Sequence, residues 1–276
     1  MTRQTLTLGM PARVSVLYVV AAPEGPPPPA AVTELADALP DGVELEVTEL
    51  TAGHPAMAAA VRVLSCPDCS PDLDPLVPML IDATGGHLAV RCSASPGWPP
   101  HHLTWAALAT DQIARLTGGI RLDPGVPCLL PDPWRPAPLT TPEAFAVSEW
   151  VTVGTSREEA GRVGMHTTGL TAFGLPELLV RRLRPDDVHG WWHLFRALSD
   201  SLVRRTFDLD RGIESGPTLQ LASEPVVAIP GLPPIEVEVR LRHLRRDGLL
   251  GVIAPRGYEG REMSWRSSVA SSICGS

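Results

Sequence analysis

Proline restricts this chain more than any other residue: 30 of its 276 positions are proline. Each one fixes φ near −65° and removes a backbone donor, so regular elements are interrupted often and stay short. The length exceeds the usual size of one domain, and two domains of about 130 residues each are expected. With 44% hydrophobic residues, each half can bury a core of its own.

All 23 basic residues are arginine, and lysine and asparagine are absent. This bias suits a GC-rich bacterial genome, so no arginine carries functional meaning by its identity alone. Residues 1–150 hold 7 arginines against 16 acidic residues, whereas residues 151–276 hold 16 against 15. An acidic first half repels phosphate backbones and the balanced second half has no dense basic stripe, which argues against nucleic acid and membrane surfaces as partners. No apolar run reaches the ~18 residues that span a bilayer. The segment VSVLYVVAA, residues 14–22, is signal-like, but its β-branched content suits a core strand better. Five cysteines, an odd number in a long chain, read as reduced thiols, and a cytoplasmic location is expected.

Periodicity predicts a first domain over residues 1–130. A strand at 14–21 leads through the run Pro26–Pro29 into a helix with Val32, Leu35 and Leu39 at helical spacing. Residues 43–48 alternate, with Val43, Leu45 and Val47 on one face. A Pro- and Cys-containing insertion at 51–80 follows. Next come a strand at 87–93, a helix burying Ala106, Ala109, Ile113 and Leu116 and stopped by Gly118-Gly119, and a strand from Ile120. The order β-α-β, β-α-β predicts a ferredoxin-like plait, an antiparallel sheet with both helices on one face. Residues 131–143 read as a linker.

The second domain, 144–265, is predicted as a mostly antiparallel sheet with one long helix. Strands are expected at 146–153, 163–168 and 177–183. A helix at 186–205 buries Val188, Trp191, Phe195, Leu198 and Leu202. IEVEVRLR at 235–242 alternates, and Asp247-Gly248 suits a hairpin turn into 249–254. Residues 266–276 read as a tail.

The most distinctive stretch is MHTTGLTAFGLPELL, residues 165–179, in which Gly169 and Gly174 bracket a loop between two predicted strands. Thr167, Gly169 and Leu170, followed by Gly174, Pro176, Glu177 and Leu178, resemble the Thr-x-Gly-Leu and Gly-x-Pro-Glu-Leu signature of a bacterial family of domains of unknown function. The likeness is strongest from His87 to Leu202. It implies an α+β fold and brings no reaction with it.

Within this loop His166, Thr167, Thr168 and Glu177 are candidate catalytic residues, a threonine hydroxyl serving as nucleophile or ligand donor and His166 as base. In the structural alternative the hydroxyls bond loop amides and Glu177 caps a strand or pairs with Arg181. Cys66 and Cys69, in Cys-Pro-Asp-Cys, are candidate zinc ligands, although no second Cys or His pair completes a tetrahedral set. His101-His102 reads as a solvated helix start, Asp186-Asp187 as acidic residues favoured by a helix dipole, and Trp191-Trp192 as one ring for the core and one for the surface. Arg240, Arg242, Arg245 and Arg246 form the basic cluster visible in the sequence, with Glu236 and Glu238 beside them as cross-strand ion partners. No nucleotide-binding, Gly-x-Ser-x-Gly or His-Glu-x-x-His motif is present. The leading expectation is a non-catalytic cytoplasmic binding or interaction protein without a cofactor, its partner an unidentified protein or small ligand. The alternatives are a hydrolase using the loop from His166 to Glu177 and a zinc-stabilised module at Cys66 and Cys69. The sequence carries no signal of oligomeric state.

Overall fold

The computed structural model describes residues 5–51, 53–66, 72–126, 128–130, 139–208, 218–223, 225–229, 235–244 and 248–274. Their regular elements, in chain order, are β1 (Thr5–Gly9), β2 (Val14–Ala21), α1 (Pro29–Asp37), β3 (Glu44–Leu50), α2 (Pro55–Leu64), α3 (Leu76–Ala83), β4 (His87–Ala94), α4 (His101–Thr117), β5 (Ile120–Asp123), β6 (Cys128–Leu129), β7 (Thr152–Arg157), β8 (Val163–Thr168), β9 (Leu178–Leu183), α5 (Val188–Phe207), β10 (Thr218–Ala222), β11 (Val226–Ile229), β12 (Ile235–Glu238), β13 (Arg240–Leu244), β14 (Leu249–Ile253) and α6 (Glu262–Cys274). The fold is mixed α+β, and among the described residues no helix is long and apolar enough to cross a membrane. The chain divides into two compact units: residues 13–95 with 99–139, and residues 1–12 and 96–98 with 140–276. The predicted linker at 131–143 lies largely outside the described residues.

In the first unit the sheet order is β3-β4-β2-β5-β6 and every neighbouring pair is antiparallel. The Val-rich stretch is its central strand, β2. Successive side chains of a strand point to opposite faces, so β2 is apolar on both because both are covered. Val20 and Ala22 pack with Leu88 and Val90 against Ala109, Ile113 and Ala114 of α4, with Leu35 of α1 alongside. Val19 and Ala21 pack with Leu122 against Met57, Ala60 and Leu64 of α2 and Ile81 of α3. The stretch expected to be an insertion therefore folds into two helices that cover the second face, where the sequence reading put helices on one face only. Two of its prolines, Pro55 and Pro78, lie within these short helices and had hidden them.

Two smaller differences concern α4. Leu116 is 39% exposed, and Thr117, 1% exposed, takes its place on the inner face, because four residues beyond Ile113 is the closer match to a 3.6-residue turn. His102 is buried at 2% exposure, where a solvated helix start was expected. On α3 the apolar residues Leu76, Met79 and Leu80 share one face and are 59%, 65% and 57% exposed.

In the second unit a five-stranded sheet has the order β13-β14-β9-β8-β7, antiparallel except where β14 meets β9. Two further antiparallel pairs are β1 with β10 and β11 with β12, so residues 5–12 belong to this unit despite their place at the start of the chain. The alternating run 235–242 keeps Val237, Val239 and Leu241 buried but divides at Val239 between β12 and β13. Glu236 and Glu238 lie opposite Ala228 and Val226 of β11 and form no ion pair with Arg240 or Arg242 among the described residues. Arg245, Arg246 and Asp247 lie outside the described residues.

Residues 146–151, predicted as part of a strand, instead form a 3-10 turn at Val147–Glu149. The Trp150 and Val151 amides both donate to the Val147 carbonyl, so Val147 and Val151 are buried by helical spacing rather than by alternation. Helix α5 buries Trp191, Leu194, Phe195, Leu198 and Leu202 as its period requires, each side chain contributing about 1.5–3 kcal/mol.

The predicted tail is the helix α6, packed on α5. Only Trp265, Val269 and Ala270 are buried in its 13 residues, too sparse an apolar pattern to read from sequence. Trp191 donates from Nε1 to the Arg266 carbonyl at 3.1 Å and meets Trp265 edge to face at 5.4 Å. Asp187, expected as a helix-start charge, is buried and accepts from Ser267 Oγ at 2.8 Å. The helices touch at Gly190, where a Cβ would lie 2.7 Å from the Ala270 Cα.

Two outcomes follow from this packing. Gly190→Leu separates α6 from α5 and lowers the urea unfolding free energy by about 3 kcal/mol, as overpacking does. Burial pushes the Cys92 thiol up to about 12, and burial with the nearby Asp123 charge pushes Cys128 up to about 11. Both stay protonated, and hence unreactive, well above neutral pH. Iodoacetamide at pH 8 therefore alkylates the exposed Cys274 in the native protein, and mass spectrometry finds Cys92 modified only after unfolding.

Candidate functional site

Strand β8 carries His166, Thr167 and Thr168 on consecutive positions, so they cannot share a face. Thr167 points inward at 1% exposure. Its Oγ1 donates to Glu177 Oε2 at 2.7 Å and accepts from the Leu178 amide at 2.8 Å. The other oxygen, Glu177 Oε1, accepts the amides of Gly169 at 2.9 Å and Thr171 at 3.1 Å. His166 projects from the opposite face, against Gly154 on β7, where a Cβ would lie 3.2 Å from Nε2. Thr167 and His166 therefore do not meet, whereas Thr168, two residues beyond His166, lies on the same face of the strand as His166, and both are half-buried. Glu177 does not pair with Arg181; its carboxylate closes the turn between β8 and β9.

That turn demands glycine at its first corner. Gly169 has φ +112°, and a Cβ on it would lie 2.1 Å from the Trp150 carbonyl oxygen. The turn continues as a 3-10 segment, Leu170–Phe173, and Phe173 meets Phe145 edge to face at 5.9 Å. Phe145 also contacts Phe207 at 5.4 Å and Trp98 at 6.0 Å edge to face, and stacks on Trp150 at 6.5 Å. The signature thus fixes an aromatic cluster, and the cluster fixes residues 145–151.

Those residues form one wall of a cleft of about 670 Å³, with α5 and β11 as the other walls. Val147, Val151, Val153 and Val227 make it apolar, while His193, Arg196, Ser199 and Asp200 supply polar groups. Arg204 is already committed. It grips Asp200 with Nε and Nη2 at 2.7 and 2.9 Å and donates to the Pro142 and Phe145 carbonyls. Arg196 lies over the Trp192 ring at 4.6 Å and has no carboxylate partner among the described residues. Ser199 Oγ is buried and has no hydrogen-bond partner among the described residues. Burial, then the charges of His189 and Arg196, hold His193 below the ordinary histidine range, so it is neutral at pH 7. The His189 and His193 rings meet edge to face, with Nε2 of one 3.4 Å from Nε2 of the other.

The Trp191-Trp192 reading matches this arrangement: Trp191 is fully buried and Trp192 is half-buried beside Arg196. The cleft residues themselves were not singled out from sequence. The available signal was the i,i+4 spacing of Trp192 with Arg196 and of His189 with His193, which places each pair on one helix face. For zinc, Cys66 is half-buried and Cys69 lies outside the described residues. Among the described residues no group of three metal-ligating side chains converges. No family model, curated protein or solved structure matches this chain.

Glu177→Ala leaves three donors without their acceptor and lowers stability by about 3 kcal/mol. His166→Ala, on the other face, costs about 1 kcal/mol or less. Urea denaturation of the two variants measures the difference.

Proposed function

We propose that this chain is a non-catalytic binding protein whose ligand is a small molecule with an apolar body and an anionic or hydrogen-bonding end. The observation that carries this reading is the cleft on α5: valines line it, and Arg196 and the unpartnered hydroxyl of Ser199 stand at its polar side. Its volume is in the range that suits a small organic ligand, and its combination of apolar wall and few directed polar groups is what such ligands require. The committed state of the Thr167 and Glu177 side chains favours binding over hydrolysis at the signature loop.

The same reading takes the first unit as a ferredoxin-like plait, supported by the order β3-β4-β2-β5 with antiparallel neighbours and by α1 and α4 on one face. A cytoplasmic location is supported by free thiols at Cys92, Cys128 and Cys274. A second reading, a protein-interaction role, is favoured by the exposed face of α3 formed by Leu76, Met79 and Leu80.

The dye 1-anilinonaphthalene-8-sulfonate, an apolar ring system bearing one anion, tests the two readings. Its fluorescence rises on the native protein, and Ala228→Trp, which fills the cleft from β11, weakens binding at least about tenfold, or about 1.4 kcal/mol, while cooperative melting is retained. If Met79→Ser removes the signal and Ala228→Trp leaves it intact, the dye sits on α3 and the cleft reading fails.

A further inference from the structure

A second depression in the same unit shares no residue with the cleft and is built from charge rather than apolar surface. It has a volume of about 920 Å³, and Arg157, Arg162, Arg181, Arg182 and Arg266 all line it. These residues come from the end of β7, the turn that precedes β8, β9 and α6, so the sequence cluster at 240–246 gave no sign of them.

Five guanidiniums in one basin repel each other unless something neutralises them. Three glutamates are also present, yet two of them are held by backbone amides. Glu158 Oε2 accepts the Arg182 amide at 2.7 Å, and Glu262 Oε1 accepts the Gly260 amide at 3.2 Å. Among the described residues none of the five arginines forms an ion pair. Arg266 Nε is buried without a hydrogen-bond partner, and Arg266 Nη1 reaches only the Met263 sulfur at 3.3 Å. Its burial, together with the charges of Arg182 and Arg162, pushes its pKa down, opposed by Glu262 and Glu158.

The backbone shows the same concentration of unfavourable features. Among the described residues only Ala160 (φ +55°) and Arg182 (φ +62°) adopt the left-handed region without being glycine, and both line this basin. Such conformations cost free energy and persist where the surroundings over-determine them, commonly at ligand sites.

We propose that this basin binds a compact, multiply charged phosphoryl oxyanion of the pyrophosphate class. Guanidinium forks match phosphoryl oxygens two at a time, and several can engage one diphosphate from different sides. An extended nucleic-acid backbone fits poorly, because Glu158, Glu159 and Glu262 stand among the arginines and the chain carries a net charge of −8.

Isothermal titration of the full-length chain with inorganic pyrophosphate tests the assignment. The wild type gives saturable binding, and Arg162→Gln with Arg181→Gln weakens it at least about tenfold. Arg182→Gly separates a ligand role from a structural one: it relieves the left-handed strain and raises the melting temperature, yet weakens pyrophosphate binding. Ala228→Trp, in the other cleft, leaves the affinity unchanged. Adenosine triphosphate binding more tightly than pyrophosphate assigns the basin to a nucleotide's polyphosphate tail; equal affinity assigns it to the free anion. No saturable binding by the wild type, or equal binding by the wild type and the double variant, overturns the proposal.

Discussion

The carboxylate of Glu177 organises the second unit. Its two oxygens accept one hydroxyl and two backbone amides, each a charge-assisted hydrogen bond in a half-buried setting and stronger than a neutral one. The turn so closed carries Gly169, against which the Trp150 carbonyl packs, and Phe173, which holds Phe145. Trp150 and Phe145 lie at either end of the segment that walls the cleft. A polar side chain in the signature loop thus acts through packing. It does not line the cleft, but the position of that wall depends on it.

The two depressions of this unit use arginine in opposite ways. In the cleft, Arg204 is gripped by Asp200 and by two carbonyls, and serves to fix the chain at 142–145. Arg196 lies over a tryptophan and has no carboxylate partner among the described residues. In the basin two of the three carboxylates accept backbone amides, and among the described residues none of the five guanidiniums forms an ion pair. Identity alone does not distinguish these arginines in a chain whose basic residues are all arginine. Their hydrogen-bond partners do.

Much of the fold was legible from period and turn chemistry. Strands β2, β4, β8 and β9 and the buried face of α5 lie where alternation or helical spacing put them, and Gly118 ends α4 in the left-handed conformation that its Gly-Gly pair foretold. The failures have a common cause. Helices α2 and α3 carry proline within a stretch that reads as irregular, α6 buries three residues among serines, and residues 147–149 alternate like a strand but coil. In each case tertiary burial outweighed weak local preference.

By itself the sequence determined the α+β class, the need for short elements, a core strand at residues 14–21, and a glycine-bracketed loop between two strands of the second sheet. These follow from local rules, since φ restriction at proline, the two-residue repeat of strands and the freedom of glycine act over a few residues. Only the tertiary structure decided that Thr167 and Glu177 bond each other while His166 faces away, that α5 and β11 enclose a cleft, and that five arginines from three elements and a turn meet in one basin. Those outcomes depend on which distant segments pack together, and electrostatic meaning is set by distance in space, which spacing along the chain does not encode.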